Sequence, residues 1–327
     1  MATEIELSGR KAAVTGAGGF IGAAVCRRLV AEGCAVTGLD IDEGREERVR
    51  STGATFAVAD VSDAARASEA LAGAELIVHT AAIVSDLGEM ADFVKVNVGG
   101  TRNVLDAAEA GGAERVVHVS SVVVYGYDDP AEQDEDAFRR TYGIPYIDTK
   151  TASDRIACTR GAIVVRPGDV YGPESVSWAI RPVEMAKAGQ LALPRGERMM
   201  LPVYIDDLAE SIALALRRGR PGRAYTVWDG SRVTFEDLWN RYARLVGGRE
   251  ARRLPRAVTY VVGAGYEALA RLRGEPPPFG RYAATLVDRR GTVSNRRARE
   301  ELGWEPHVNF DLGMRRTEEW LRAEGHV

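Results

Sequence analysis

Cysteine is scarce in this sequence, which has only three in 327 residues. Cys26, Cys34 and Cys158 show no CxxC spacing and no framework for pairing. A small fold held together by disulfides is therefore excluded, and so few thiols fit a reducing cytosol. We expect Cys26 and Cys158 to pack in the core, and we expect no bound metal.

Long apolar runs are missing as well. No stretch approaches the roughly 18 apolar residues of a membrane span, and the longest candidate, around 258–264, is far shorter. The first residues, MATEIELSGRK, carry charges and lack the apolar core of a signal peptide. The sequence thus predicts a soluble, cytoplasmic protein without a membrane partner.

A concentrated basic region is the third absence. The formal net charge is -4 and the arginines are spread along the chain, whereas nucleic-acid binding normally requires a basic face. The chain has neither an internal repeat nor a low-complexity tract, which excludes solenoids and disordered scaffolds. Its 45% hydrophobic and 28% charged content is ordinary for a soluble globular protein of one large domain or two closely joined ones.

The first half of the chain alternates short apolar runs with helical patterns. The predicted strands are residues 11–15, 35–39, 55–59, 76–80, 116–120 and 162–166. The predicted helices are residues 21–31, 64–72 and 93–110. Buried strands that alternate with helices indicate βαβ units and a parallel sheet covered on both faces. The predicted fold class is therefore α/β, a doubly wound parallel sheet of the Rossmann type.

The second half is less regular and predicts a smaller, substrate-binding lobe. Its amphipathic patterns cover residues 178–189, 202–216, 234–246 and 312–322. The stretch RGEPPPFG at 273–280 is predicted as a loop, because three successive prolines cannot lie inside a helix. We place the boundary near residue 170, so that residues 1–170 form the sheet domain. Residues 171–327 are then mainly the lobe, with some later segments returning to the sheet.

The stretch TGAGGFIG at 15–22 follows a predicted strand and opens a helix. Gly16 permits a tight turn, Gly19 lets the backbone approach a pyrophosphate, and Gly22 permits close helix–strand packing. The helix start at Phe20 and Ile21 presents free N–H groups to phosphates. A glycine-rich connection without a ligand is the alternative, but the strand–turn–helix setting favours a dinucleotide site.

Asp40 ends the second predicted strand, about 20 residues beyond the glycines, where an acid can accept both ribose hydroxyls of an adenosine. The same carboxylate would repel a 2′-phosphate, so the predicted cofactor is NAD rather than NADP. Two alternatives stay open. Asp40 can simply open the turn IDEG at 41–44, and Arg45 can accommodate a phosphate.

Tyr146 and Lys150 have the spacing of two residues on one face of a helix. An ammonium about 4 Å from a phenol contributes on the order of 4 kcal/mol at an effective dielectric of 20, or roughly three pKa units. That shift would make the Tyr146 phenol a usable acid or base near neutral pH. Chance spacing is the alternative, although the chain has only four lysines and uses arginine almost everywhere else.

Ser120 and Ser121 end the fifth predicted strand in VSSVVVYG. The carboxyl ends of parallel strands are where α/β sheets bind ligands, so a hydroxyl there can hold a substrate carbonyl. A serine that satisfies its own backbone at a strand end is the alternative.

Taken in order, these motifs resemble the extended short-chain dehydrogenase/reductase superfamily, the NAD-dependent epimerase/dehydratase group. TGAGGFIG matches its TGxxGxxG, and the other segments at familiar spacing are HTAA (79–82), VNVGGT with Asn97, SSVVVYG, YIDTK and RPGDVYGP (166–173). The chain from YTVWDGSRVTFEDLW (225–239) to LGWEP (302–306) is similar to the 3-beta-hydroxysteroid dehydrogenase and dihydroflavonol reductase branch.

The resemblance implies roles for individual residues. Tyr146 would be the general acid/base, Lys150 would lower its pKa and bind the nicotinamide ribose, and Ser121 would polarise the substrate oxygen. Asn97 would anchor a water relay. The further cofactor contacts that it implies are Asp60, Val61, Ala81, Ala82 and Pro167, although Ser62 beside them also fits a helix N-cap. A homodimer through the helix that bears YxxxK and the helix before Gly111 is implied as well.

Departures from the family pattern narrow the substrate class. Val122 and Val123 stand where sugar-nucleotide dehydratases carry an acid, which disfavours water elimination. Residues 200–204, MLPVY, lack the arginine usual in sugar-nucleotide epimerases, which weakens the case for a diphosphate substrate. Asp169 replaces the usual asparagine, with no consequence that the sequence reveals.

We therefore expect an NAD(H)-dependent oxidoreductase that interconverts a secondary alcohol and a ketone on a bulky, largely apolar substrate. The residues expected to line its pocket, besides Ser121 and Tyr146, are Ile83, Val84, Val122, Trp178 and Met199. The alternatives are a nucleotide-sugar 4-epimerase and a dinucleotide sensor without turnover. The intact Tyr146, Lys150 and Ser121 argue against the sensor, since sensing does not require a tuned phenol.

Overall fold

A parallel sheet of seven strands forms the centre of the computed structural model, which describes residues 4–85, 88–127, 129, 131–137, 139–273 and 280–327. In chain order the strands are β1 Lys11–Thr15, β2 Ala35–Asp40, β3 Thr55–Val58, β4 Leu76–His79, β5 Arg115–Val119, β6 Ile163–Pro167, β7 Asp169–Tyr171, β8 Ala192–Pro194, β9 Met199–Met200, β10 Pro202–Tyr204, β11 Ala224–Val227, β12 Val233–Thr234 and β13 Arg252–Leu254.

Helices cover both faces of this sheet and build much of the lobe. They are α1 Phe20–Ala31, α2 Glu46–Arg50, α3 Ala64–Leu71, α4 Met90–Phe93, α5 Gly100–Gly111, α6 Pro145–Thr159, α7 Arg181–Lys187, α8 Ile205–Arg218, α9 Phe235–Leu245, α10 Arg256–Arg273, α11 Arg281–Leu286 and α12 Phe310–Ala323. Short 3-10 turns occur at Glu43–Arg45 and Val122–Tyr125, and π-helical segments at Val94–Gly99, Val176–Ile180 and Ala298–Leu302.

The strand order of the sheet is β11-β6-β5-β4-β1-β2-β3, and every neighbouring pair is parallel. The chain runs outward from β1 to β3, returns to β4 beside β1, and then runs outward in the other direction. The switch point therefore lies between β1 and β4, at whose carboxyl ends such sheets bind ligands. The predicted Rossmann architecture is confirmed.

The six predicted strands are β1 to β6, with ends that differ by at most a residue or two. Strand β11 was not located, because its four residues follow a Gly/Pro-rich turn and give too short a pattern; it pairs with β6, Ala224 opposite Val164. The helix predicted at 93–110 is divided into α4, the π-helical segment and α5. The N-cap of α3 is Asp63, whose carboxylate accepts from Ala65 N and Arg66 N, and not Ser62.

Helix α10 is another element that sequence patterns did not predict. Valines 258, 261 and 262 of this helix are exposed, so its apolar residues do not form the buried stripe that identifies an amphipathic helix.

Within the part of the chain that the structure describes, no helix combines the length and apolarity needed to cross a membrane. Of the loop predicted at 273–280, residues 274–279 lie outside the described residues.

The lobe has an aromatic core next to the sheet. Trp178 stacks on Phe235 with ring centroids 5.7 Å apart and lies 6.3 Å from Trp239. A buried ion pair fixes the lobe to β7: Arg289 Nη1 donates to Asp169 Oδ2 over 2.5 Å. The Arg289 guanidinium also lies over the rings of Tyr127 and Phe235. The ion pair with Arg289 gives a structural role to Asp169, the residue that replaces the usual asparagine of the family.

A second buried ion pair fixes α6 against the sheet. Asp154, fully buried on α6, accepts two hydrogen bonds of 2.8 Å from the equally buried Arg166 of β6. It also accepts 2.8 Å from Ser120 Oγ and pairs with Arg139. Ser120, one of the two candidate serines, therefore positions α6, the helix that carries Tyr146 and Lys150.

Candidate active site

The glycine turn after β1 leaves room for a ligand backbone. Gly16 has φ +69°, and a Cβ there would lie 2.8 Å from Ala81 Cα. A Cβ at Gly22 would lie 2.1 Å from the Gly16 carbonyl oxygen, so only glycine permits α1 to start this close to the turn. The N-cap of α1 is Gly19, and no side chain caps the helix. The free N–H groups of its first turn can therefore bind a pyrophosphate.

Asp40 lies at the cleft end of β2. Its Oδ2 accepts from Gly18 N over 2.9 Å, and its Oδ1 accepts from Asp42 N over 3.1 Å. Arg45 lines the same cleft and pairs with Asp42 at 3.3 Å. The backbone N–H of Gly18 in the glycine turn thus orients the Asp40 carboxylate, while the Arg45 guanidinium is paired with Asp42.

We expect the protein to bind NAD at least about tenfold more tightly than NADP, because the Asp40 carboxylate would face the 2′-phosphate with like charge, which costs several kcal/mol at close range. The Asp40→Ser variant should show a smaller difference between its affinities for NAD and NADP. Titration of both cofactors into the wild type and the variant measures it, and tighter binding of NADP to the wild type would assign the position to Arg45 instead.

The cleft continues along the ends of β3 and β4. Asp60 accepts from the backbone N–H and the hydroxyl of Ser62, and Asn103 Nδ2 donates to the carbonyl of Val61 over 2.9 Å. These bonds fix the segment in which Asp60 and Val61 are expected to contact the cofactor. Asp60, Val61, Ala81, Ala82, Ile83 and Val84 all line the cleft.

Tyr146, Ser121 and a residue that no motif predicted, Tyr282, meet in the cleft. The Tyr146 side chain is buried, its ring meets that of Tyr282 edge to face with centroids 4.9 Å apart, and the Ser121 and Tyr282 hydroxyls act to lower its pKa. Ser121 also caps the turn Val122–Tyr125, accepting from Val123 N over 3.3 Å. Two hydroxyls, on Ser121 and Tyr146, can therefore reach one substrate oxygen.

Lys150 is buried and does not line the cleft. Its Nζ donates to the carbonyl oxygen of Val119 over 2.7 Å. Burial lowers the pKa of Lys150 to about 8 and raises the pKa of Tyr146 to about 12. The predicted lowering of the Tyr146 pKa by Lys150 is not seen in the structure, because burial is the largest influence on this phenol and the groups that lower its pKa are the Ser121 and Tyr282 hydroxyls.

Asn97 joins two parts of the site without entering the cleft. Its Oδ1 accepts from Ile83 N over 2.7 Å, and its Nδ2 donates to Ile83 O and to Thr149 Oγ1. The side chain is buried on the π-helical segment Val94–Gly99, a distortion often found at functional sites. Asn97 thus holds the segment after β4 against α6.

The cleft has a volume of about 1030 Å³ and brings most of the predicted residues together. Besides those above, its wall includes the predicted Gly16, Gly19, Phe20, Ile21, Gly22, Pro167 and Trp178.

Val122 and Met199 do not line the cleft. Directly after Ser121 the chain enters a 3-10 turn, so Val123 lines the cleft and Val122 does not. Met199 lies in β9, where its N–H bonds to Arg289 O. The wall also includes Met185, Trp239, Tyr282 and Leu286, which belong to no motif. The amphipathic patterns of α7 and α9 were the sequence feature that could have indicated Met185 and Trp239 as residues of the cleft wall.

The NAD dependent epimerase/dehydratase family matches residues 12–228 of this sequence, two thirds of the chain. The chain belongs to this family. The matched region contains the glycine turn, Asp40, Ser121, Tyr146 and Lys150. The family prediction and the prediction of NAD as cofactor are therefore confirmed, and the protein is an NAD-dependent enzyme of the extended short-chain dehydrogenase type.

Relatives of this family member carry out different reactions. This chain is 31% identical to the 2-alkyl-3-oxoalkanoate reductase of Stenotrophomonas maltophilia, and the match covers 94% of this chain and 98% of the reductase. It is 30% identical to the UDP-glucose 4-epimerase of Mycolicibacterium smegmatis, over 94% and 97% of the two chains. The crystal structure of DesIV, a dTDP-glucose 4,6-dehydratase of Streptomyces venezuelae with NAD bound, superimposes with a TM-score of 0.77 at 26% identity over 96% and 97% of the chains.

Proposed function

We propose that this enzyme interconverts a secondary alcohol and a ketone on a bulky, largely apolar substrate. The observation that carries the proposal is the wall that the lobe contributes to the cleft. Its side chains are mainly apolar, among them Trp178, Met185, Trp239, Leu286 and Val287. A pocket with few polar groups suits a hydrophobic body with one oxygen to orient.

The buried ion pair between Asp169 and Arg289 supports the same substrate class. A diphosphate is normally bound by arginine forks and backbone donors. Arg289 is fully enclosed and its guanidinium donates to Asp169 through both Nη1 and Nη2. Its charge is therefore neutralised within the protein and is not presented to a substrate.

Met185 also lines a second apolar pocket of about 230 Å³, together with Leu191, Leu254 and Val262. A methionine side chain has three rotatable bonds and adapts its shape readily, so an aliphatic chain can extend from the cleft past Met185. The reductase relative, named for 2-alkyl-3-oxoalkanoates, supports a substrate with such chains.

In the proposed reaction, NAD(H) supplies or accepts the hydride when bound. Tyr146 exchanges a proton with the substrate oxygen, and Ser121 donates a hydrogen bond that orients this oxygen. Lys150 holds the strand end through Val119 O; in this proposal its ammonium turns to the nicotinamide ribose once NAD is bound, and Asn97 anchors the relay of protons. Residues 1–170 mainly bind NAD in this proposal, and residues 171–327 mainly bind the substrate. We also propose that two copies pair through α5 and α6.

A nucleotide-sugar 4-epimerase is the second candidate. Lys95 and Arg181 line the cleft, and cations there favour an anionic substrate; one relative is a UDP-glucose 4-epimerase. Both candidates use Ser121, Tyr146 and Lys150, so the substrate decides between them. The polar part of the cleft wall is the specific feature that supports this second function.

We expect kcat/KM for a ring or long-chain secondary alcohol to exceed that for UDP-galactose at least about 100-fold, because an unpaired diphosphate would lose its hydration against apolar walls. The measurement follows NADH absorbance with each alcohol and UDP-glucose formation with the sugar, under identical conditions. Interconversion of the UDP-sugars without accumulation of NADH, and no activity on any apolar alcohol, would assign the enzyme to the epimerases.

A further inference from the structure

The second pocket, of about 230 Å³, is built from elements of the lobe that carry no sequence motif. One side of it is the two-stranded sheet of β8 and β13, in which Ala192 lies opposite Arg252. Helix α10 packs against β8 and contributes Val262 and Tyr266 to the wall. The residues that line the pocket all lie between 185 and 266, so it is a feature of the lobe and not of the cofactor-binding sheet.

Met185 on α7 separates this pocket from the cleft. It lines both cavities and is only 8% exposed. The backbone around it is fixed, since Met185 O accepts from Gln190 N over 2.9 Å and Ala186 O accepts from Gly189 N over 3.0 Å. The side chain, by contrast, has three rotatable bonds and adapts its shape readily. A change of the Met185 rotamer can therefore join the two cavities without movement of α7.

The chemistry of the wall favours an apolar occupant. Leu191 and Leu254 contribute apolar side chains to it. The Thr259 hydroxyl in the same wall already donates to a backbone carbonyl over 3.3 Å, so it does not need a partner from a ligand. Gln190 and Arg252 are exposed and mark the end of the pocket that reaches solvent. A polar group inside would lose its hydration without compensation, whereas an alkyl group would not.

The width of the passage limits the occupant further. The space that the Met185 side chain can vacate has the shape of one unbranched chain, so a linear alkyl chain fits through it and a fused ring system does not. The volume of about 230 Å³ corresponds to roughly seven methylene groups, if each takes about the 30 Å³ that a water molecule occupies in the liquid. The pocket is thus large enough to distinguish long chains from short ones.

We propose that the second pocket is a binding subsite for an unbranched alkyl chain of the substrate, and that Met185 is the residue that admits this chain. The inference rests on the proposed function, because it requires a substrate whose oxygen meets Ser121 and Tyr146 in the cleft. It goes beyond that function by assigning chain-length specificity to a particular cavity and a particular side chain.

The first experiment measures kcat/KM for the reduction of a series of unbranched 2-alkanones with NADH. Burial of each methylene in an apolar site contributes about fourfold. We expect kcat/KM to rise by about this factor per carbon once the chain is long enough to pass Met185. The rise should continue over roughly seven carbons and then level off, because the chain reaches solvent beside Arg252.

Val262→Trp tests the pocket itself, and Val261→Trp is the matched control. Val262 lines the second pocket, whereas its neighbour Val261 is 70% exposed and lines neither cavity. An indole at position 262 fills the space of several methylenes. The ratio of kcat/KM for a long 2-alkanone to that for a short one should therefore fall by about 10- to 100-fold. Val261→Trp should keep the wild-type ratio.

Met185→Ala tests the partition. Alanine leaves the passage between the two cavities permanently open, so a long chain no longer has to displace a side chain. We expect the ratio of kcat/KM for long to short 2-alkanones to rise above that of the wild type. The same ratio in wild type and variant would contradict the role of Met185.

A binding measurement does not depend on turnover. Long and short 2-alkanones are titrated calorimetrically into the complex with oxidised NAD, which has no hydride to transfer. The long ketone should bind more tightly to the wild type and to Val261→Trp than to Val262→Trp. Its heat-capacity change should also be more negative in the first two proteins, the signature of buried apolar surface.

Two results would overturn the inference: a kcat/KM that does not depend on chain length, or equal effects of Val262→Trp and Val261→Trp. Ring ketones that gain as much as linear ones of the same carbon number would also do so, because they do not fit the passage. If no ketone reacts and UDP-sugars are interconverted, the proposed function fails instead. The failure of the inference alone is recognised by short ketones that react while the chain-length series stays flat.

Discussion

Replacing Tyr146 with phenylalanine should lower turnover by about 10²- to 10⁴-fold, the usual contribution of a positioned acid/base, and leave the affinity for NAD nearly unchanged. Phenylalanine keeps the ring and with it the edge-to-face contact with Tyr282. It removes only the phenol hydroxyl of Tyr146, whose pKa is influenced by Ser121 and Tyr282. Steady-state rates and calorimetric titration with NAD measure the two effects separately.

Lys150→Ala provides the contrast. The Lys150 ammonium is buried and donates to Val119 O over 2.7 Å, so its loss leaves a buried carbonyl without a partner and removes the charge assigned to the ribose. We expect both turnover and NAD affinity to fall in this variant. A Tyr146→Phe enzyme that keeps most of its rate would contradict the assignment of the acid/base, whatever Lys150→Ala does.

The parts of the site that sequence predicted are those that a short segment defines by itself. TGAGGFIG contains its own turn, helix start and close approach, so Gly16, Gly19 and Gly22 could be assigned without knowledge of the rest of the fold. The same is true of Asp40 at a strand end and of Tyr146 on the helix that carries Lys150. Each of these local arrangements places a backbone or side chain at the carboxyl edge of the sheet, and together they define the cofactor half of the cleft.

The parts that sequence could not predict depend on contacts between distant segments. Tyr282 on α11 contacts the ring of Tyr146, and Asp169 forms an ion pair with Arg289, which lies 120 residues later in the sequence. Val123 instead of Val122 lines the cleft because a 3-10 turn starts at the strand end. The pKa of Tyr146 depends on burial, which spacing along a helix does not reveal. The i,i+4 spacing predicted a lowered pKa for Tyr146, whereas burial raises it to about 12.

Asp154→Asn should destabilise the protein by about 3 kcal/mol or more, because removal of one partner leaves the buried guanidinium of Arg166 without a countercharge. Both side chains of this pair are fully buried. Arg166 also donates to Tyr125 Oη and Glu135 O, so it cannot move to solvent to compensate. The urea midpoint should fall with little change in m, and a loss of this size is a large fraction of the stability of a typical domain.

Asp106→Asn is the matched control, since Asp106 pairs with Arg160 at 2.5 Å but its side chain is 66% exposed; exposed pairs contribute less than about 1 kcal/mol.

The pH dependence of the unfolding free energy separates the Asp154 and Asp106 variants further. Burial raises the pKa of Asp154, but the charges and hydrogen bonds of Arg166 and the charge of Arg139 outweigh it, and the net pKa is lowered. The stabilisation by Asp154 is therefore fully present above the unfolded pKa of about 3.9 and is lost as the pH falls through the lower folded value. Unfolding free energies measured between neutral and acid pH should show a steeper decline for the wild type and Asp106→Asn than for Asp154→Asn. Equal acid sensitivity in all three proteins would mean that the Asp154 carboxylate does not fix α6, and with it Tyr146 and Lys150, to the sheet.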